Sequence, residues 1–148
     1  MSSRSLAESL RIGRMESQRV RMRKTSNKGT DIALSLPSGT RLRHGDVLLL
    51  NDEKMIILEL KSENVLILEV KDNLHEDDFV EVPARIGHAI GNLHRPLKLE
   101  GRRIYFPIQA ESELEMFKKI LSPFEHHLDI QSTRMVFEPD EGMDIHEH

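Results

Sequence analysis

The spacing of apolar residues changes midway along the chain and predicts different structures for its two halves. Apolar and polar residues alternate over residues 19–24 and 32–36, and a Pro-Ser-Gly turn signal follows at residues 37–39. Two apolar runs joined by Asn-Asp-Glu-Lys are typical of a β-hairpin over residues 47–60. Many short strands separated by turns favour a small barrel or sandwich. We therefore predict a small all-β domain over residues 1–62.

A helical pattern appears in the second half. Ile86 and Ile90 lie one turn apart in the run ARIGHAIG, and Pro83 suits a first helical turn. Gly91 and the Asn that follows are typical of a helix C-terminus. We therefore predict a short helix that begins near Pro83 and stops at Gly91-Asn92.

The elements of the second half follow the order β-α-β-β-α-β. An apolar strand at residues 63–70 precedes the first helix, and two short strands follow it. A second amphipathic helix is predicted over residues 111–121, with a final strand near residues 128–137. This order is that of a ferredoxin-like fold, so the fold class is α+β. We expect three segments: an all-β domain (1–62), a ferredoxin-like domain (63–138) and a flexible acidic tail (139–148).

Composition narrows the possible functions. The 148 residues include no cysteine, which excludes thiolate metal sites and thiol catalysis. The longest apolar runs are strand-sized and the N-terminus has no secretory pattern, so we expect a cytoplasmic protein without membrane partners. Residues 1–30 carry a net charge of +6, but the whole chain has one Tyr and no Trp for base stacking. Nucleic acid is therefore disfavoured as a partner.

The motifs of common enzyme classes are absent from the sequence. It contains no G-x-S-x-G, no Walker glycine loop and no H-E-x-x-H. Paired carboxylates such as Asp77 and Asp78 lie in a hydrophilic segment with no sign of burial. We therefore predict that the protein is not an enzyme.

His94, in the sequence GNLHRP, directly follows the first predicted helix. Two interpretations are open: the imidazole complements the helix dipole, or it projects from the helix end as a metal ligand. A single imidazole binds a divalent ion too weakly to define a site. A two-fold axis would supply a second one, because an isologous interface duplicates every residue near the axis.

Two histidines, His146 and His148, end the acidic tail. They are either part of a solvated terminus or an arm that completes a coordination sphere begun elsewhere. Nitrogen and carboxylate donors without thiolate suit Ni²⁺ or Zn²⁺. The remaining histidines are predicted to be surface or structural residues: His44, His75, His88, His126 and His127.

Three motifs resemble those of one protein family. Residues 42–48 read L-x-x-G-D-V-L, residues 91–96 read G-N-x-H-x-P, and residues 137–142 match F-E-P-E-x-G with Asp140 in place of Glu. A histidine-bearing tail follows. In this order, and over nearly the whole chain, the sequence resembles the urease accessory protein UreE family of nickel metallochaperones.

The resemblance implies a homodimer formed through the ferredoxin-like domains, in which His94 of each subunit holds one Ni²⁺ and His146 or His148 adds ligands. It also implies delivery of nickel to apo-urease together with the GTPase UreG and other accessory proteins. The β domain would bind a peptide or partner, with the basic strand at residues 19–24 facing it.

Two positions depart from the family pattern, and several questions stay open. Leu93 replaces the usual Arg before the metal histidine, and Glu111 begins a helical turn that carries an auxiliary histidine in some members. A competing hypothesis is a non-catalytic protein- or RNA-interaction module with incidental histidines. A third possibility, a metal-dependent hydrolase, would need an acid–base carboxylate near His94, and the local sequence shows none. The sequence leaves four points open: whether the ion is nickel or zinc, which tail histidine binds it, whether the chain forms a dimer or a higher oligomer, and which surface of the β domain contacts the partner.

Overall fold

The computed structural model describes residues 7–142. The chain divides into two compact units, Met1–Ser62 and Glu63–His148. The strands of the first unit are β1 (Ala7–Ile12), β2 (Arg21–Thr25), β3 (Asp31–Ser35), β4 (Val47–Leu50) and β5 (Met55–Leu60). Their sheet order is β1-β5-β4, with β2 and β3 forming a separate antiparallel hairpin. The predicted hairpin over residues 47–60 is present as β4 and β5.

Strand β1 was not predicted from the sequence. It runs parallel to β5. Its buried Leu10 and Ile12 pair with Leu58 and Leu60 of β5. A strand of six residues that contains both Glu8 and an exposed Arg carries little apolar signal of its own. Its pairing with β5, about 48 residues further along the chain, is what makes it a strand.

The second unit contains β6 (Glu63–Val70), α1 (Asp78–Asn92), β7 (Lys98–Glu100), β8 (Arg103–Pro107), α2 (Ser112–Ile120) and β9 (Leu128–Met135). Its strands form one antiparallel sheet in the order β7-β8-β6-β9. Together with the two helices this is the ferredoxin-like arrangement. The predicted α+β fold class, with an all-β region before an α/β region, is confirmed.

The predicted start of α1 was wrong, because the helix begins at Asp78 and Pro83 lies inside it rather than in its first turn. The predicted stop at Gly91-Asn92 agrees with the structure, in which the helix ends at Asn92. The early start was missed because Phe79 and Val80 are exposed and add nothing to the apolar periodicity. The buried face is Val82, Ile86 and Ile90, spaced four residues apart.

Strand β6 is buried on both faces and is the centre of the unit. Leu66 and Leu68 face the helices and pack with α1, Phe106 and Phe117. On the opposite face a small cluster joins β6 to β8 and the C-terminal segment; it consists of Val65, Ile67, Tyr105 and Phe137. In α2, Phe117 is buried but Ile120 is exposed, although their spacing predicts a shared face. Within the part of the chain that the structure describes, no helix is long and apolar enough to cross a membrane.

Candidate metal centre

His94 has an unusual backbone conformation. Its φ is +54°, and among residues 7–142 it is the one residue other than glycine with a positive φ. Its N–H donates to the carbonyl of Gly91 at 2.9 Å, directly after the Leu93 N–H donates to Ile90 at 3.1 Å. This is the left-handed position that ends many helices and is usually occupied by glycine. A histidine there costs about 1–3 kcal/mol of strain, and such strain clusters at functional sites.

The His94 side chain is exposed at the C-terminal end of α1, while the residues that follow it are held in place. Pro96 is buried. Arg95 forms an ion pair with Glu113 of α2, with 2.7 Å between Nη2 and Oε2, and both side chains are largely buried. The turn therefore presents an exposed imidazole on a fixed backbone. The sequence drew attention to His94 but not to Arg95, because nothing local indicates an ion-pair partner 18 residues away.

The C-terminal segment returns to the same region of the fold. Phe137 is buried against the sheet. The N–H of Asp140 donates to the carbonyl of Leu97 at 2.9 Å, and its carboxylate accepts the N–H of Leu99 at 2.8 Å. Asp140 belongs to the segment predicted to be a flexible tail, so hydrogen-bonded chain continues past the expected boundary at residue 138. The predicted ligands His146 and His148 lie outside the described residues.

The other histidines have local roles where the structure shows a contact. His44 Nδ1 accepts the N–H of Leu60 at 3.1 Å, and His127 Nδ1 lies 3.2 Å from the side-chain oxygen of Asn73. His88 contacts Asn92 one turn later, at 3.3 Å. Within residues 7–142, no group of three or more His, Asp or Glu side chains lies close enough to hold a metal ion.

An all-β unit followed by a ferredoxin-like unit, with an exposed histidine on a strained helix end, defines a two-domain α+β protein with a candidate surface metal ligand. Comparison with known proteins identifies the first unit. Residues 3–61 match the family model of the UreE urease accessory protein, N-terminal domain. That unit therefore belongs to the UreE N-terminal domain family, and the predicted resemblance of the chain to the urease accessory protein UreE family is confirmed.

Individual relatives extend beyond the first unit. The chain is similar to urease accessory protein UreE of Haemophilus influenzae strain PittEE, with 37% identity over 93 residues, covering 62% of this chain and 46% of the relative. It is also similar to UreE 1 of Pseudomonas syringae pv. tomato, with 27% identity over 110 residues, covering 74% and 70%. A match to UreE of Yersinia mollaretii is 23% identical and covers 93% and 67%. The chain spans about half the length of the Haemophilus relatives it matches.

Proposed function

We propose that this protein is a urease accessory protein that binds Ni²⁺ through His94 and delivers it to apo-urease. The observation that carries the proposal is the left-handed backbone of His94 at an exposed helix end. Glycine would occupy this position without strain, so a histidine there lowers the stability of the fold. Metal binding by the imidazole nitrogens would explain why a histidine occupies a position that favours glycine. The names of the relatives supply the urease context.

A homodimer would supply the second imidazole. The outer face of α1 leads towards His94 and carries the stripe Val80, Ala84, Gly87 and Gly91, whose spacing places them on one side of the helix. Val80 is 79% exposed, and a Cβ added at either glycine would meet nothing within 4 Å. Small residues let two helices approach closely, so this face suits a second copy of the chain. A two-fold axis beside it would bring the two His94 rings together.

The tail histidines can reach this site by chain length alone. Asp140 is hydrogen-bonded to Leu97, and Leu97 is at most about 10 Å along the chain from His94. His146 and His148 follow Asp140 by six and eight residues, which span at most about 20 and 27 Å when extended. Either could therefore add a nitrogen ligand to an ion held by the His94 pair. The donor set admits Ni²⁺ or Zn²⁺, and the urease context favours nickel.

Delivery requires release as well as binding. Imidazoles at a surface exchange ligands one at a time with an acceptor, so the ion can pass to apo-urease without covalent chemistry by the carrier. We place this transfer in the cytoplasm, in a complex with UreG and the other accessory proteins, and we assign the protein no enzymatic activity.

The first unit would hold the delivery partner. Residues 1–62 carry 12 Lys and Arg against 7 Asp and Glu, whereas residues 63–148 carry 9 against 18. On β2, Arg21 and Arg23 point outwards, and Arg23 is paired with Asp31 across the hairpin. This exposed basic strand suits an acidic surface on a partner protein. It is the basic strand predicted at residues 19–24.

The site is tested by nickel titration calorimetry combined with light scattering. We expect the parent protein to bind one Ni²⁺ per two chains, and His94→Ala to lose tight binding while keeping its fold. The matched control is His88→Ala, which removes an exposed imidazole from the same helix and should leave the affinity unchanged. Retention of the parent affinity by His94→Ala would contradict the proposal.

The tail is tested separately by deleting residues 144–148. Binding should weaken but persist, because the His94 pair remains. Nickel retention should also fall on acidification, because protons and the metal ion compete for the same ring nitrogens. If the deletion leaves both the affinity and its pH dependence unchanged, the tail histidines are not ligands.

A further inference from the structure

Arg95 directly follows His94 in the sequence, but the Arg95 side chain is buried whereas the His94 imidazole is exposed. Only 11% of the Arg95 side chain is accessible, and 15% of its partner Glu113. The guanidinium carbon also lies 5.9 Å from the centre of the Phe117 ring, which belongs to the core between α2 and the sheet. A charged side chain this buried is stable only when its donors are satisfied.

The donors of Arg95 reach two separate elements. Nη2 donates to Glu113 Oε2 at 2.7 Å, Nη1 lies 3.4 Å from Oε1 of the same carboxylate, and Nη1 also donates to the carbonyl of Pro107 at 3.1 Å. Glu113 Oε1 additionally accepts the N–H of Gln109. The turn after α1 is thereby fastened to the end of β8 and to the first turn of α2. A planar guanidinium bonded in this forked way fixes orientation as well as position.

The strained backbone of His94 needs such an anchor. A left-handed residue other than glycine persists only where its surroundings over-determine it. The helix hydrogen bonds of Leu93 and His94 hold one side of the turn, and Arg95 holds the other. Without the ion pair, the chain between α1 and β7 could relax to an unstrained φ at residue 94.

We infer that the Arg95–Glu113 ion pair is the positioning device of the metal site: it holds His94 in the left-handed conformation that aims its imidazole outwards. The inference rests on the proposed function of His94 as a nickel ligand. Arg95 is a positioning residue and does not touch the ion. In the proposed dimer both copies contain the same ion pair, so it would hold the backbone of both His94 residues in the same conformation.

The test compares Arg95→Met with Arg85→Met in the full-length protein. Arg85 forms an exposed ion pair with Glu81 on the same helix, so its substitution removes a surface pair while leaving the His94 turn intact. We expect Arg95→Met to weaken nickel binding about 10- to 100-fold and Arg85→Met to leave it unchanged. In the nickel-free proteins, the NMR Cα and Hα shifts of residue 94 should lose their left-handed values only in Arg95→Met.

A loss of stability alone would not explain this pattern. Leu121→Ala empties part of the fully buried core and should lower the Tm to an extent comparable with Arg95→Met, with an unchanged nickel affinity in the folded protein. Arg95→Lys keeps the charge without the fork and should restore only part of the affinity. If Arg95→Met does not fold, Glu113→Gln replaces it in the test, because glutamine has nearly the same shape as glutamate. Nickel affinity should then fall by less than in Arg95→Met, and the left-handed shifts of residue 94 should again weaken.

The outcomes separate this inference from the proposed function. If His94→Ala loses nickel while Arg95→Met and Glu113→Gln keep both the parent affinity and the left-handed shifts, the positioning role is wrong and the metal site stands. If His94→Ala keeps the parent affinity for nickel, the proposed function of His94 as a nickel ligand is itself wrong. A parallel fall in affinity for Arg95→Met and Leu121→Ala would reduce Arg95 to a structural residue.

Discussion

At His94, the metal-binding role that we propose coincides with a backbone conformation that histidine does not favour. The position after α1 is one where glycine is favoured, and the structure places histidine there at φ +54°. The turn is supported from outside by Arg95, whose side chain is bound to Glu113. Stability is therefore given up at one residue and supported by contacts elsewhere, a pattern typical of binding sites.

Replacement of His94 by glycine should separate stability from function. We expect His94→Gly to raise the free energy of unfolding by about 1 kcal/mol, because glycine adopts the left-handed conformation without strain, and to abolish tight nickel binding. Denaturant unfolding and calorimetry measure the two effects. The control His88→Gly lies within the helix and should lower the free energy of unfolding by about 0.3–0.5 kcal/mol, the difference between the helix propensities of histidine and glycine. Destabilisation by His94→Gly would show that the position is not strained.

At the scale of elements, a buried carboxylate on β1 makes contacts outside the sheet that β1 forms with β5. Glu8 is 7% exposed and accepts hydrogen bonds from the hydroxyls of Thr30 and Ser26, with Lys54 at 3.5 Å. These hydroxyl donors, and then the charge of Lys54, hold the pKa of Glu8 below its usual value of 4.5. The carboxylate thus ties β1 to the loop between β2 and β3. Its ionised form is the one that the folded unit favours.

The sign of the resulting pH dependence follows from that lowered pKa. The stability contributed by ionised Glu8 is present above about pH 4.5 and is lost as the pH falls towards the lower pKa of the folded state. Unfolding followed between about pH 5 and pH 3 should therefore show a smaller decrease in stability for Glu8→Gln than for the parent. Glu53→Gln, an exposed control in the same unit, should behave like the parent. Equal slopes for all three proteins would refute the assignment.

At the scale of the whole molecule, the proposed dimer assigns a role to an otherwise unexplained helix face. The outer stripe of α1 has one strongly exposed valine and two glycines with open space around them. A monomer gains nothing from glycine within a helix, since each costs about 1 kcal/mol relative to alanine. Close approach by a second copy would account for the stripe, and it would place both His94 residues near one axis.

Gly87→Arg tests that interface without disturbing the monomer. A Cβ added at Gly87 meets nothing within 4 Å in the folded chain and glycine is a poor helix former, so the unit should fold with equal or greater stability. In a dimer the same side chain would collide with the partner. We expect the mass by light scattering to fall to that of a monomer and nickel affinity to fall with it. The control Glu115→Arg, on the exposed side of α2, should stay dimeric; a dimeric Gly87→Arg would place the interface elsewhere.

The sequence by itself determined the order of most elements and the candidate ligand. Apolar periodicity is local, so it predicted β4, β5, β6 and the β-α-β-β-α-β order, and the G-N-x-H-x-P motif identified His94. The start of α1 was not predicted, because its first turn carries exposed side chains and its proline is tolerated within the helix.

Only the tertiary structure decided the features that join distant residues. The parallel pairing of β1 with β5, the bond between Arg95 and Glu113, and the return of Asp140 to β7 connect residues 18 to 48 positions apart. No local pattern encodes such partners, because each is chosen by packing around a shared core. The left-handed φ of His94 belongs with them, since a strained backbone is held by its surroundings rather than by its own preference.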